Sequence, residues 1–82
     1  MKLPVISGKQ LVKFLNKEGF EIVRRKGSHV RLKKKNLGKV IVTVVPMHKR
    51  LDPGTLLGIL RQCEISKEKM QEKVKLMQNP NG

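Results

Sequence analysis

Leu11, Phe14 and Leu15 recur at i, i+3 and i+4, the spacing of one buried face of a helix. Ser7 precedes them with Gln10 three residues on, the pattern of a capping box, and Gly19 stands where such a helix terminates. These signals predict a first helix over about residues 8–18. The apolar period then shortens. Phe20-Glu21-Ile22-Val23 opens a strand that runs into Arg24-Arg25-Lys26, and Gly27-Ser28 reads as a tight turn whose glycine can take a positive φ. From His29 to about Lys34 the chain alternates, Val30 and Leu32 facing one way and His29, Arg31 and Lys33 the other. After a turn at Lys35-Asn36-Leu37-Gly38, the β-branched run Val40–Val45 forms a third strand ending at Pro46. Asp52-Pro53 is a helix start, followed by the stripe Leu56, Ile59, Leu60 and Cys63. Ser66 caps a last helix whose apolar side is only Met70, Val74 and Met77, a stripe thin enough to dock loosely or fray, and Asn79–Gly82 reads as a disordered tail.

The order is α-β-β-β-α with an appended C-terminal helix. This is an α+β chain, a three-stranded antiparallel meander with helices on one face. Residues 1–66 form one domain, 67–78 the appended helix and 79–82 the tail. A second turn centred near Asn36–Leu37 places His29 opposite about Val44. One corner of the sheet then gathers Arg25 and Lys26, His29, Pro46-Met47-His48-Lys49, and a helix N-terminus at Asp52–Gly54 able to receive a phosphate. In the third strand Val40, Val42 and Val44 share one face, Ile41 and Val45 the other. With helices on a single face, part of that apolar surface stays exposed.

Charge changes the picture most. The 82 residues carry 19 Lys and Arg against 6 Asp and Glu, a formal net charge of +13. A balance this basic calls for a polyanionic partner: nucleic acid, an anionic membrane or an acidic protein. The membrane is disfavoured, because the longest strongly apolar run, Val40–Val45, is interrupted by Thr43 and falls far short of the roughly 20 residues of a span. Met1–Ile6 is too short for the apolar part of a signal peptide and contains Pro4. The single cysteine, Cys63, cannot form an internal disulfide and fits a reducing cytoplasm. Phe14 and Phe20 are the only aromatics, and both sit at core positions. A grip on nucleic acid must therefore rest mainly on phosphates and sugars rather than on base stacking. Against such a grip stands a third class, a basic protein whose partner is only an acidic protein.

Gly27-Ser28-His29 is the candidate for chemistry. It lies in a stretch from Glu21 to Asp52 that contains Arg24, Arg25, Lys26, Arg31, Lys33, Lys34, Lys35, Lys39, Lys49 and Arg50 and no acidic residue between those two. Such a field concentrates a polyanion around an imidazole that titrates near neutrality, which is what proton transfer on a phosphodiester needs. The plain alternative is a solvated histidine after an ordinary turn. His48, in a loop after proline, reads as structural, as a phosphate contact or as a second catalytic group. No metal site is indicated, since the two histidines are 19 residues apart with no second cysteine near them. No cofactor is indicated either. Cys63 lies on an apolar stripe and reads as core, and Ser28 lacks a triad partner.

Ser7-Gly8-Lys9, Gly19-Phe20, Arg24-x-Lys26-Gly27-Ser28-His29, Val42-Thr43-Val44, Pro46-x-His48, and Gly54-Thr55-Leu56 leading to Ile59-Leu60-Arg61-Gln62 stand in an order and at spacings that resemble the HicA-type (YcfA-like) toxins of toxin–antitoxin modules. The resemblance covers about residues 6–66. It implies a fold similar to double-stranded-RNA-binding domains, a ribosome-independent, metal-independent mRNA interferase activity, an essential histidine at His29, and inhibition by a HicB-type antitoxin that covers the active site. On this reading the chain is a cytoplasmic endoribonuclease toxin, monomeric when free, with Arg24, Arg25, Lys26, Gly27, Ser28, Arg31, Lys33, Lys34, Lys35 and Lys49 contacting RNA. The alternative is a non-catalytic RNA-binding module of the same fold.

Overall fold

The computed structural model describes residues 3–78, and side chains as far as residue 75. The elements run α1 (Gly8–Lys17), β1 (Glu21–Lys26), β2 (His29–Asn36), β3 (Lys39–Pro46), α2 (Pro53–Cys63) and α3 (Lys67–Gln78). The strands form one antiparallel sheet in the order β1-β2-β3. The α+β meander with flanking helices and a C-terminal helix matches the architecture expected from the sequence and the α-β-β-β-α order of double-stranded-RNA-binding domains.

Local chemistry sets the helix ends. In α1 the Gln10 N–H donates to Ser7 Oγ at 3.0 Å, and the Ser7 N–H donates to Gln10 Oε1 at 2.9 Å, completing the capping box. At the other end Gly19 takes φ +97°, and the Phe20 N–H reaches back to the Leu15 carbonyl at 2.9 Å. This Schellman-type closure turns Phe20 into the core beside the face of α1 that carries Phe14 and Leu15.

The core lies between the helices and one face of the sheet. Leu11, Phe14, Leu15 and Phe20 meet Val30 and Leu32 of β2, Ile41 and Val45 of β3, and Leu56, Ile59 and Leu60 of α2. The pleat therefore sends Val30 and Leu32 inward and leaves the other parity of β2 to solvent. On β3 the same rule buries Ile41, Thr43 and Val45 and exposes Val40, Val42 and Val44 at 55%, 46% and 38%. Thr43 donates from its hydroxyl to Gln62 Oε1 at 2.8 Å, so the polar group buried under α2 is satisfied.

Two features of the sheet depart from the sequence-based expectation. The β2–β3 turn is centred on Leu37 and Gly38, both at positive φ (51° and 77°), the backbone of a type I′ hairpin. Asn36 consequently pairs with Lys39, and His29 pairs with Pro46 rather than Val44. The shift is two residues, so each side chain keeps its face. The second feature is a β-bulge in β1. Ile22 pairs with Leu32 but Arg24 pairs with Arg31, which leaves Val23 as the extra residue.

The last helix also differs from the thin, loosely held element expected. Ser66 Oγ accepts from the Lys69 N–H at 3.1 Å, and Met70 and Val74 are fully buried in the common core. Lys69 Nζ lies 2.7 Å from Glu18 Oε1 at the end of α1. The expectations for Met77 and for the tail at 79–82 lie outside the described residues.

If α3 is an integral wall of the core, Met70→Ala should cost about 2–5 kcal/mol, the range for truncating a buried methionine or leucine. Urea unfolding measures it. A loss below about 1 kcal/mol would show that α3 adds little to the core.

Candidate nucleic-acid interface

β2 decides what faces solvent. Because Val30 and Leu32 are fixed in the core, His29, Arg31, Lys33 and Lys35 occupy the outer parity of the strand. Gly27 takes φ +57° in the two-residue turn, and Lys26 and His29 pair directly across it. The same turn fixes which cations of β1 join them, and the bulge at Val23 absorbs the residue that separates this stretch from inward-facing Ile22. Beyond it, Arg24 lies beside Arg31 and Lys26 beside His29, while Arg25 pairs with the inward residue Val30. An open depression of about 240 Å³ results, lined by Arg24, Lys26, His29, Arg31 and Val44. His29 is exposed within it, and Ser28 Oγ lies a long 3.5 Å from its Nδ1.

The wall behind His29 is fixed by backbone hydrogen bonds. The Met47 N–H donates to the Ser28 carbonyl, extending the β2–β3 ladder past Pro46. The Gly8 N–H donates to the His48 carbonyl at 2.9 Å, and the Leu51 N–H donates to the Ile6 carbonyl at 2.9 Å. Gly8 allows this approach, since a Cβ there would fall 2.1 Å from the Pro46 carbonyl oxygen. His48 thus anchors α1 through its backbone while its side chain stays exposed.

The residues singled out in the sequence do not all share this site. Arg24, Lys26, His29 and Arg31 come together at the depression, with Gly27 and Ser28 as its turn. Lys49 and His48 are exposed in the loop after β3, at the same corner. Arg25 is exposed on the β1 edge. Lys33 and Lys35 lie on the outer face toward the far end of β2. Lys34 has the inward parity instead, pairing with buried Ile41, and its Nζ lies 5.7 Å from the Phe20 ring centroid.

The α2 N-terminus differs from the phosphate receptor expected there. Asp52 already occupies it, accepting from the Thr55 N–H at 3.0 Å and the Thr55 hydroxyl at 2.7 Å. These hydrogen bonds hold the Asp52 carboxyl below its usual range, so an anion sits there at neutral pH and repels a second one. Cys63 is buried, and burial pushes its thiol up to about 11 despite the Thr43 hydrogen bond and the Lys34 charge, which keeps it a neutral core group. Among the described residues, no three His, Cys, Asp or Glu side chains come together as metal ligands. No described helix is long and apolar enough to cross a membrane.

Comparison with known families decides the assignment. The model of the HicA toxin of bacterial toxin–antitoxin systems matches residues 8–65, from the start of α1 to the end of α2. The chain belongs to the HicA toxin family. No curated protein and no solved structure matches it at a significant level. Toxins of this family form one half of toxin–antitoxin modules, whose other half is generally an antitoxin of the HicB kind. The matched span holds both the turn that carries His29 and the loop that carries His48, and it stops before α3.

Two substitutions test this construction. Gly8→Ala should destabilise the fold by about 1–3 kcal/mol through overpacking against the Pro46 carbonyl, and should move the amide signals of Ser28, His29 and Met47. Unchanged signals at those three would break the proposed link between α1 and the site. For Asp52 the sign follows from a folded-state pKa below 3.8: its stabilisation is complete above that value and is lost as pH falls through the folded pKa. The difference in melting temperature between the parent and Asp52→Ala should thus be full at neutral pH and narrow below about pH 4. A difference independent of pH would contradict it.

Proposed function

We propose that this toxin is an endoribonuclease that cuts mRNA through the ribose 2′-hydroxyl, with His29 as the proton-transfer group. One observation carries the reading: the imidazole of a HicA-family chain opens into a depression walled by Arg24, Lys26 and Arg31 on the face that the helices leave free. In the reaction the 2′-oxygen attacks the adjacent phosphorus and the bond to the 5′-oxygen breaks. The products are a 2′,3′-cyclic phosphate and a free 5′-hydroxyl. His29 either takes the proton from the 2′-hydroxyl or gives one to the departing 5′-oxygen, a transfer worth about 10²–10⁴-fold in rate. His48, exposed at the same corner, is the candidate for the complementary proton.

The surrounding cations fit the charge that such a reaction builds. The guanidinium groups of Arg24 and Arg31 can pair with nonbridging phosphate oxygens in fork geometry, and Lys26 adds a mobile point charge across from His29. Lys49, exposed in the loop after β3, adds positive charge at the same corner, and Arg25 adds it along the β1 edge. The reading needs neither metal nor cofactor, and it places the free toxin in the cytoplasm as a monomer. The exposed valines of β3 beside this basic rim suit an antitoxin that is apolar at the centre of its contact and acidic at its border.

His29→Ala should lower RNA cleavage at least about 100-fold while leaving RNA affinity within a few-fold, as measured by cleavage assays and fluorescence anisotropy. Replacing the 2′-hydroxyl by hydrogen at the cleaved nucleotide should block the parent enzyme. Cleavage of that deoxy-substituted strand would overturn the 2′-hydroxyl mechanism. A parent protein that binds RNA and never cleaves it would instead establish a non-catalytic RNA-binding module.

A further inference from the structure

The outer face of the sheet is divided lengthwise by charge. Along β2 the outward residues are His29, Arg31, Lys33 and Lys35, a histidine followed by three cations at every second position. Their cross-strand partners on β3 are Pro46, Val44, Val42 and Val40, which present no charge at all. Two residues of strand advance about 6.6 Å, so the row from His29 to Lys35 spans about 20 Å. Each end of it opens into a depression. The one at His29 is described above; the other, about 400 Å³, is lined by Gly19, Glu21, Lys33, Lys34 and Lys35.

We propose that this face binds a single RNA strand along β2, and that Lys33 and Lys35 form a distal phosphate subsite remote from the cleaved bond. The inference rests on the ribonuclease reading for the placement of the scissile nucleotide at His29. The β2 row, joined near His29 by Arg24 and Lys26 of the neighbouring strand, makes one band of positive charge along that side of the sheet, which fits one row of phosphates. A duplex laid on the sheet would bring a second backbone over β3, where Val40, Val42 and Val44 offer apolar surface and no counter-charge. The same valines suit the sugars and base faces of a single strand. They contact them without the hydrogen bonds that read base identity, and the chain has no exposed Phe, Tyr or Trp on which a base could stack. Glu21, opposite Lys33, is the acidic residue of this face, and it lies at the end farthest from His29. The strand is therefore held by charge most strongly near the reacting phosphate, with Lys35 as the outermost contact. A substrate must reach several nucleotides beyond the cleaved bond to use it.

Affinity measured on a His29→Ala background tests the track independently of cleavage. The probes are a trinucleotide, a single-stranded decanucleotide of mixed sequence, and the same decanucleotide annealed to its complement. The decanucleotide should bind far better than the trinucleotide and better than the duplex. Lys33→Gln combined with Lys35→Gln should shrink the advantage of the long strand over the short one at least about five-fold. It should also reduce the log–log salt slope for the long strand by about 1.4, or about 0.7 for each lost phosphate contact. Duplex binding as tight as the single strand, or a length advantage and salt slope untouched by the double substitution, would overturn the proposal. Failure of the parent to cleave RNA with these affinities intact would count against the ribonuclease reading alone.

Discussion

The structure depends on the two-residue pleat of β2. Val30 and Leu32 lie beneath the helices with essentially no exposure, among Phe14, Phe20 and Leu60. A slip of one residue would drive His29, Arg31 and Lys33 into that aliphatic layer, where unpaired charge costs several kcal/mol per group, and would put the core valine and leucine in water. Burial on one side therefore fixes the chemistry on the other. The sheet needs no dedicated scaffold for its basic face, because the hydrophobic effect that closes the core also aims the cations outward.

Position along the strand is fixed separately. The loop from Pro46 to Leu51 is tied to the segment before α1 and to α1 itself through the Gly8 and Leu51 amides, and to the β1–β2 turn through the Met47 amide. Three parts of the chain far apart in sequence thus meet by main-chain bonds at the His29 corner. Main-chain fastening of this kind restrains a site without spending side chains that could contact substrate, which is how a chain of 82 residues keeps a preorganised surface without a deep cavity.

Much of this was legible in the residues because it is local. The capping box, the glycine stop after α1, the alternation of β2 and the stripe of α2 each depend on neighbours within a turn or two, and each stands where the pattern places it. The hairpin register was not. A type I′ turn usually advertises itself by asparagine or aspartate before glycine, whereas here fully exposed Leu37 occupies the left-handed position. The two-residue error preserved the faces, so the make-up of the site survived it. Docking of α3 was hidden for a different reason: three apolar side chains in twelve residues make a weak periodic signal, yet Met70 and Val74 both land fully in the core. Asp52 as the N-cap carboxylate of α2 was legible as well, and its side chain accepts from the Thr55 N–H as that role requires. The bulge in β1 was not, because Val23 is an ordinary strand residue and nothing in its identity marks it as supernumerary.

That supernumerary residue works as a frameshift in the alternation of side chains. Upstream of Val23 the strand is read in one phase and downstream in the opposite phase. Loss of the Val23 codon would return the strand to a single phase and leave the cations around His29 as they are, because the two-residue turn holds Lys26 opposite His29 and Arg24 opposite Arg31. The bulge thus lets the strand absorb one residue more than its partner while Ile22 stays at the core and Lys26 stays opposite His29, so the length of β1 can vary at that point without changing the chemistry of the site.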